Sequence, residues 1–218
     1  MTEVVYGRRA VAEAKRGPRQ VLRVHSAGES SAEELTRLAG SPDHQGVVAE
    51  VEPYRYADAG ALLDAPRPLI IALDQVQDPH NLGAVCRSAE AAGATGVVVP
   101  ERRAVGVTPA VCKASAGAVE HLAVARVRNL ADWLAGAKGR EGIWVYGAAA
   151  GGEERYSAVD LSGPVVLVMG SEGSGLRPRV ASTCDALVSI PLQGKAASLN
   201  VSAAAAVLLF EAVRQRED

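Results

Sequence analysis

The chain has 218 residues, 48% of them hydrophobic and only 4% aromatic, and a formal net charge of −2. That length holds one domain of ordinary size plus a small appendage, and the composition excludes a disordered chain. The near-balanced charge excludes a protein that coats nucleic acid through a large positive field, though it leaves room for RNA binding by local patches.

With so few aromatics, the core must be built from Val, Leu, Ile and Ala, which suits the closely packed layers of an α/β protein. Cys86, Cys112 and Cys184 are far apart and form no CxxC pair or His/Cys cluster. Neither a disulfide framework nor a metal site is expected. No apolar signal region opens the chain and no apolar run is long enough to span a bilayer, so a reducing cytoplasm and no membrane partner are expected.

In chain order, residues 1–16 predict a short helix and "RQVLRVH" (19–25) a strand. "SAEELTRLAG" (31–40) predicts a helix capped by Ser31, and "QGVVAEVEPY" (45–54) a further strand. The opening stretch is basic, with Arg8, Arg9, Lys15, Arg16, Arg19 and Arg23. It is either an RNA-facing patch or a solvated helix face. "RYADAGALLDAPRP" (55–68) reads as a linker or hinge, which divides the chain into a small module, 1–54, and a main domain, 69–218.

From residue 69 the chain alternates between short Val/Ile-rich runs and helical stretches. Strands are predicted at 68–73, 95–100, 121–127, 142–148, 163–170 and 186–192. Helices are predicted at 81–93, 108–117, 129–139 and 177–184, with the alanine-rich C-terminal segment last. This alternation indicates a mainly parallel sheet with helices on both faces.

Ligands of such sheets sit outside the carboxyl ends of the strands, and three strand-to-helix loops there carry unusual residues. "DQVQDPHNLGAVCRSAEAAG" (74–93) offers Asp78 as a helix cap and Pro79 as the first helical residue. Capping leaves unexplained an Asn-Leu-Gly in the first turn and an Arg among alanines. "VMGSEGSGLRP" (168–178) is glycine-rich but fits neither a P-loop nor a dinucleotide fingerprint. Its carboxylate, Glu172, argues against cradling a phosphate, and its other reading is a plain turn. "GKAASLNVSAAAAVLLF" (194–210) joins a polar run to a helix that Asn200 or Ser202 can cap.

"DPHNLGAVCRSAEAAG", "VMGSEGSGL" and "IPLQGKAASLNVSAAAAVLLFEA" closely resemble the three ordered motifs of the SpoU (TrmH-like) RNA ribose 2′-O-methyltransferases, members of the SPOUT superfamily. The resemblance covers roughly residues 69–215. "VVYGRRAVAEA" and "HQGVVAEV" look most like the bacterial branch that methylates a guanosine of 23S ribosomal RNA. That branch carries an N-terminal RNA-gripping domain resembling ribosomal protein L30e. Here the corresponding segment is short, with one helix where the family has further strands and helices.

The resemblance implies an α/β fold whose C-terminal part forms a deep trefoil knot, a rare exception to unknotted chains. It implies S-adenosylmethionine bent into that knot, and a homodimer whose catalytic sites are completed near the partner subunit. RNA is the implied partner, 23S ribosomal RNA first and transfer RNA second, with no DNA. Carried over residue by residue, the catalytic set is Asn81, Arg87, Glu172, Ser198 and Asn200. The cofactor set is Gly170, Glu172, Gly175, Ile190, Leu192, Ser198 and Leu199.

Asn81 and Arg87 lie six apart and so do not share a helix face. Asn81 is therefore expected before the regular helix, with Arg87 reaching the reaction centre. A guanidinium is a poor base, so Arg87 is assigned to stabilising the developing alkoxide or placing a phosphate. The proton is expected to leave through Ser198, Glu172 or water. Small alanines at 203 and 204 are expected where the last helix packs tightly. Other readings are a transfer RNA ribose methylase, a thiostrepton-resistance ribosomal methylase or a catalytically idle ribosome-assembly factor. The complete motif set speaks against the last.

Overall fold

The computed structural model describes residues 2–217. The N-terminal part contains β1 (Glu3–Tyr6), α1 (Arg8–Ala14), β2 (Val21–Ser26), α2 (Ala32–Ala39) and β3 (Val47–Val51). The rest runs β4 (Leu69–Asp74), α3 (Pro79–Ala91), β5 (Gly96–Pro100), α4 (Pro109–Ala114), β6 (Val124–Val127), α5 (Leu130–Lys138) and β7 (Trp144–Ala148). It ends with β8 (Glu154–Arg155), β9 (Val165–Gly170), α6 (Pro178–Thr183), β10 (Ala186–Ser189) and α7 (Val201–Glu217).

All six residues of β4 are buried, so both of its faces must be covered. Alternate side chains divide between two cores. Leu69, Ile71 and Leu73 join residues of α3, α4 and α7 on one side. Ile70 and Ala72 join residues of α5 and α6 on the other. The sheet has seven strands in the order β6-β5-β4-β9-β7-β10-β8, with every pair parallel. β9 lies between β4 and β7, in register from Leu69↔Val165 to Asp74↔Gly170. The last residues of β4 and β9 thus stand side by side at the carboxyl edge. The α/β architecture expected from the alternation is what the chain adopts.

The first residues differ from expectation. Glu3–Tyr6 is a strand, pairing antiparallel with β3 from Glu3↔Val51 to Tyr6↔Val48, and only Arg8–Ala14 is helical. β1, β3 and β2 form a small antiparallel sheet. One face of it closes a small core with α2, where Tyr6 and Val48 pack on Leu35 and Ala39, and the other face joins the main domain. Val5, Val11, Ala49 and Val51 belong to the same buried cluster as Val85, Val111 and Leu167 of the main domain.

Residues 55–68 are likewise built into the domain, where a hinge was expected. Ala57 bridges Ala125, Tyr56 Oη accepts the Val107 N–H at 2.9 Å, and Leu62 and Leu63 are buried. Arg19, counted among the basic surface residues, is buried against Glu120.

Capping follows the sequence closely. Ser31 Oγ accepts the Glu34 N–H at 3.2 Å, and Asn129 Oδ1 accepts the Ala131 N–H at 3.1 Å. In α7 the tightly packed alanine is Ala205, fully buried, whereas Ala203 is exposed and Ala204 half-buried. The helix turns Ala205 inward with Leu208, Leu209 and Ala212, four and three residues apart, so expecting the closest packing at 203 and 204 misplaced it.

Candidate active site

The site is assembled at the carboxyl edge of the sheet by loops after β4 and β9 and by the start of α7. After β4, Asp78 Oδ1 accepts the His80 N–H at 2.8 Å, and Pro79 opens α3. The fixed φ of Pro79 starts the helix early. Asn81 therefore lies within the first turn and not ahead of it, as its distance from Arg87 had suggested. The Asn-Leu-Gly that capping left unexplained now has a reason. A Cβ on Gly83 would fall 2.5 Å from the Ala114 Cβ, so α3 and α4 can approach only with glycine there.

After β9 the chain turns back on itself. Ser171 and Gly175 exchange two backbone hydrogen bonds, at 3.2 and 2.9 Å, with φ of +80° at Gly173 and +66° at Gly175. A Cβ on Gly170 would fall 2.1 Å from the Gly175 carbonyl carbon, so the return of the loop requires a bare backbone there. Glu172 is held out on this turn. At the third corner Asn200 caps α7, its Oδ1 accepting the Ser202 N–H at 2.8 Å and the Ser202 hydroxyl at 2.6 Å.

These three corners meet. Asn81 Nδ2 donates to Glu172 Oε1 at 3.0 Å, and Asn200 Nδ2 donates to Asn81 Oδ1 at 2.9 Å and also to Glu172 Oε1. The residues joined are 91, 119 and 28 positions apart in the chain. Asn200 uses both its amide nitrogen and its carbonyl oxygen. Asn81 is buried, and Glu172 Oε2 makes no hydrogen bond among the described residues. Asn81 and Glu172 line a cavity of about 350 Å³ with Gln75, Asp78, Ser174 and Val201. Chemically, two amides fix one carboxylate oxygen and leave the other free at a cavity mouth.

One strong element of the site escaped the sequence reading. Asp74, fully buried at the end of β4, accepts the Arg177 backbone N–H and its Nε, both at 2.8 Å. The pair fixes the far end of the 171–176 turn to the neighbouring strand. The available signal was a carboxylate closing the continuous apolar run "LIIALD".

The other expected residues are placed as follows. Ile190 is half-buried against the core. Leu192, Ser198 and Leu199 lie on the exposed segment 191–200, with Leu192 37% and Leu199 38% exposed. Ser198 does not line the cavity and makes no hydrogen bond to Asn81, Glu172 or Asn200. Arg87 is exposed on α3, outside the cavity lining, with no carboxylate partner among the described residues. Of the five catalytic candidates, one chain brings together Asn81, Glu172 and Asn200.

Residues 68–210 match the model of the SpoU rRNA Methylase family, and residues 26–57 match a model described as RNA 2′-O ribose methyltransferase substrate binding. An uncharacterized tRNA/rRNA methyltransferase of Synechocystis is 46% identical over 187 residues, covering 84% of this chain and 48% of the relative. The 23S rRNA (guanosine-2′-O-)-methyltransferase RlmB of Ralstonia nicotianae is 48% identical over 187 residues, covering 84% of this chain and 75% of that protein. This chain therefore spans about half the length of the first relative and three quarters of the second. Among solved structures, the SpoU methyltransferase AviRb of Streptomyces viridochromogenes in complex with AdoMet superposes with a TM-score of 0.82 at 29% identity, covering 99% of this chain and 90% of AviRb. The chain belongs to the SpoU rRNA methylase family.

Proposed function

We propose that this protein transfers a methyl group from S-adenosylmethionine to a ribose 2′-hydroxyl of RNA, at a guanosine of 23S ribosomal RNA. The observation that carries the reading is the Asn81–Glu172–Asn200 network, which gathers one residue from each of the three motifs at the mouth of a cavity. The similarity to RlmB favours the guanosine and the ribosomal RNA, and AdoMet-bound AviRb favours the cofactor.

The chain offers features that suit such a cofactor. Gly173 and Gly194 face open space, so their backbone is accessible, and Leu192 and Leu199 leave apolar surface uncovered nearby in the chain. Gly170, Gly175, Ile190, Leu192, Ser198 and Leu199 would hold it, largely by backbone groups and an apolar wall for the adenine. When bound, the cofactor supplies a methyl group already activated by a positively charged sulfur.

The protein's remaining task is alignment and removal of one proton. Glu172 takes that proton on Oε2, while Asn81 and Asn200 hold Oε1 and so fix the direction of the free oxygen. Ser198 would flank the cofactor. Arg87, always protonated, serves as a fixed positive charge for the developing alkoxide or a neighbouring phosphate. Its place outside the cavity of its own chain suits a homodimer, in which it completes the partner's site. Exposed Phe210 (50%) and Ala203 on α7 provide apolar surface for such an interface.

The same reading includes the trefoil knot, supported by the insertion of β9 between two strands made earlier and by the tight turn at Gly170. It includes the cytoplasm as location; no helix among the described residues is long and apolar enough to cross a membrane. It treats residues 1–54 as the RNA-gripping module. Labelled-methyl transfer to unmodified 23S RNA and to transfer RNA, followed by mapping of the modified nucleotide, tests the proposal. Label on a 23S guanosine ribose is expected. Label on transfer RNA alone would overturn the substrate, and no cofactor binding would overturn the enzyme.

A further inference from the structure

A second cavity, of about 310 Å³, opens at the same edge of the sheet and has the opposite character. Its walls come from the residues directly after β5 and β6 and from the start of α6. Arg102, Arg103, Arg128, Arg177 and Arg179 line it, together with Asn129 at the start of α5. Five arginines thus line one hollow in a chain whose net charge is −2.

Two of the five are neutralised locally. Arg177 pairs with buried Asp74 at 2.7 Å, and Arg179 pairs with Asp132. Arg102, Arg103 and Arg128 are exposed and have no carboxylate partner among the described residues. Three exposed cations without carboxylate partners around one hollow give it a positive potential that attracts an anion. Arg103 also takes a φ of +59°, a left-handed backbone that side-chain-bearing residues rarely adopt.

Asp74 immediately precedes Gln75, which lines the Asn81–Glu172 cavity, while its partner Arg177 lines the arginine cavity. The two hollows thus lie on either side of a single ion pair, whose carboxylate is buried and whose guanidinium is partly exposed. An extended polyanion entering one at the carboxyl edge passes the other. Arginine forks match the paired oxygens of a phosphodiester.

We propose that the Arg102–Arg103–Arg128 cavity binds the backbone phosphates of the RNA strand flanking the nucleotide that is methylated. The assignment rests on the RNA methyltransferase reading above. It makes these arginines positioning residues for the strand, distinct from the methyl-transfer network.

The test measures RNA affinity at several salt concentrations, together with S-adenosylmethionine affinity, for the parent protein and two triple variants. Arg102→Gln/Arg103→Gln/Arg128→Gln is expected to weaken binding of a 23S RNA fragment by roughly tenfold or more at low salt. Its log–log salt slope should fall by about 2, at roughly 0.7 per phosphate charge on a single strand. Cofactor affinity should stay with the parent, and thermal melting verifies folding. Arg102→Lys/Arg103→Lys/Arg128→Lys keeps the charges and should restore most of the slope. If the glutamine variant binds RNA with unchanged affinity and slope while the parent methylates RNA, the cavity proposal is wrong and the enzyme reading stands. If the parent neither binds nor methylates RNA, both fall together.

Discussion

Arg19 grips Glu120 across 101 residues of chain, its Nε 2.8 Å from Oε2 and its terminal nitrogen against Oε1. The side chains are 6% and 0% exposed. Burial is the largest single influence and lowers the arginine's affinity for its proton, but the hydrogen bond and charge of Glu120 together with the contact to Cys112 add up to more, and the pKa is raised. Removing Arg19 strands the fully buried Glu120 carboxylate, and removing Glu120 leaves the buried guanidinium only the partly exposed Glu3, 3.2 Å away. Glu120→Ala should cost about 3–5 kcal/mol in urea unfolding. The double variant Arg19→Met/Glu120→Leu should cost less than the two single changes together. Equal losses from singles and double summed would show that the pair is uncoupled.

Gly170→Ala should destabilise the fold by about 3 kcal/mol or more, because the obstacle is backbone that cannot swing aside. Gly173→Ala meets nothing within 4 Å, and only its φ of +80° opposes it, so its cost should be nearer 1 kcal/mol. Melting temperatures of the two variants, measured side by side, check the contrast. A milder effect at 170 than at 173 would contradict the close crossing.

Glu172→Gln keeps the shape of the network but removes the proton acceptor. Turnover should fall by roughly 10²–10⁴-fold with cofactor affinity within a few fold of the parent. Asn200→Ala should lower turnover as well, by releasing Oε1 and uncapping α7. Full activity in Glu172→Gln would move the proton to Ser198 or water.

Arg87 is exposed, so its substitution should leave stability within about 0.5 kcal/mol. Arg87→Ala and Arg87→Lys should nonetheless both nearly abolish turnover, with cofactor affinity little changed. If Arg87→Lys retained substantial activity, a point charge would suffice and the planar fork would not matter. Mixing Arg87→Ala with Glu172→Gln subunits tests whether the arginine serves the partner: one intact site per mixed dimer should restore activity.

Stability should be level from neutral pH down to about 5 and decline below the ordinary carboxylate range. Glu13 is held below its ordinary 4.5 by its hydrogen bond from His121, and Glu211 below 4.5 by Arg214. Ser162 does the same for Asp160, below 3.8. A lowered folded pKa gives stability that is complete above the unfolded value and lost as pH falls through the folded one. Denaturant unfolding between pH 6 and 3 checks the limb. Greater stability at pH 3.5 than at pH 6 would reverse the sign.

The central sheet was legible because strands buried on both faces read as unbroken Val/Ile/Leu runs, and "LIIAL" or "VVLVM" admits few other readings. Strand β1 was not legible. "EVVY" is four residues long, and its partner begins beyond residue 46, so nothing local distinguishes it from the helix that follows. The hinge misled for a related reason: its Ala, Asp and Pro look like a linker, yet Tyr56, Leu62 and Leu63 anchor it through contacts distant in sequence. In the site, motif order identified Asn81, Glu172 and Asn200 but not their mutual hydrogen bonds. Asp74 was missed because its guanidinium partner lies 103 residues away.

The position of β9 has a consequence for how the molecule comes into being. Without Val165–Gly170, the sheet is two separate half-sheets, β6-β5-β4 and β7-β10-β8, each ending in an unpaired edge. The strand that seals them is synthesised after β4, β5, β6 and β7, and β10, which joins β7 to β8, is made later still. Order of synthesis and order of closure are therefore opposed at the centre of the protein, and the nascent chain must wait with naked edges for its middle to arrive. Such long-range parallel pairing is slow, and the waiting interval is when stray strands can dock.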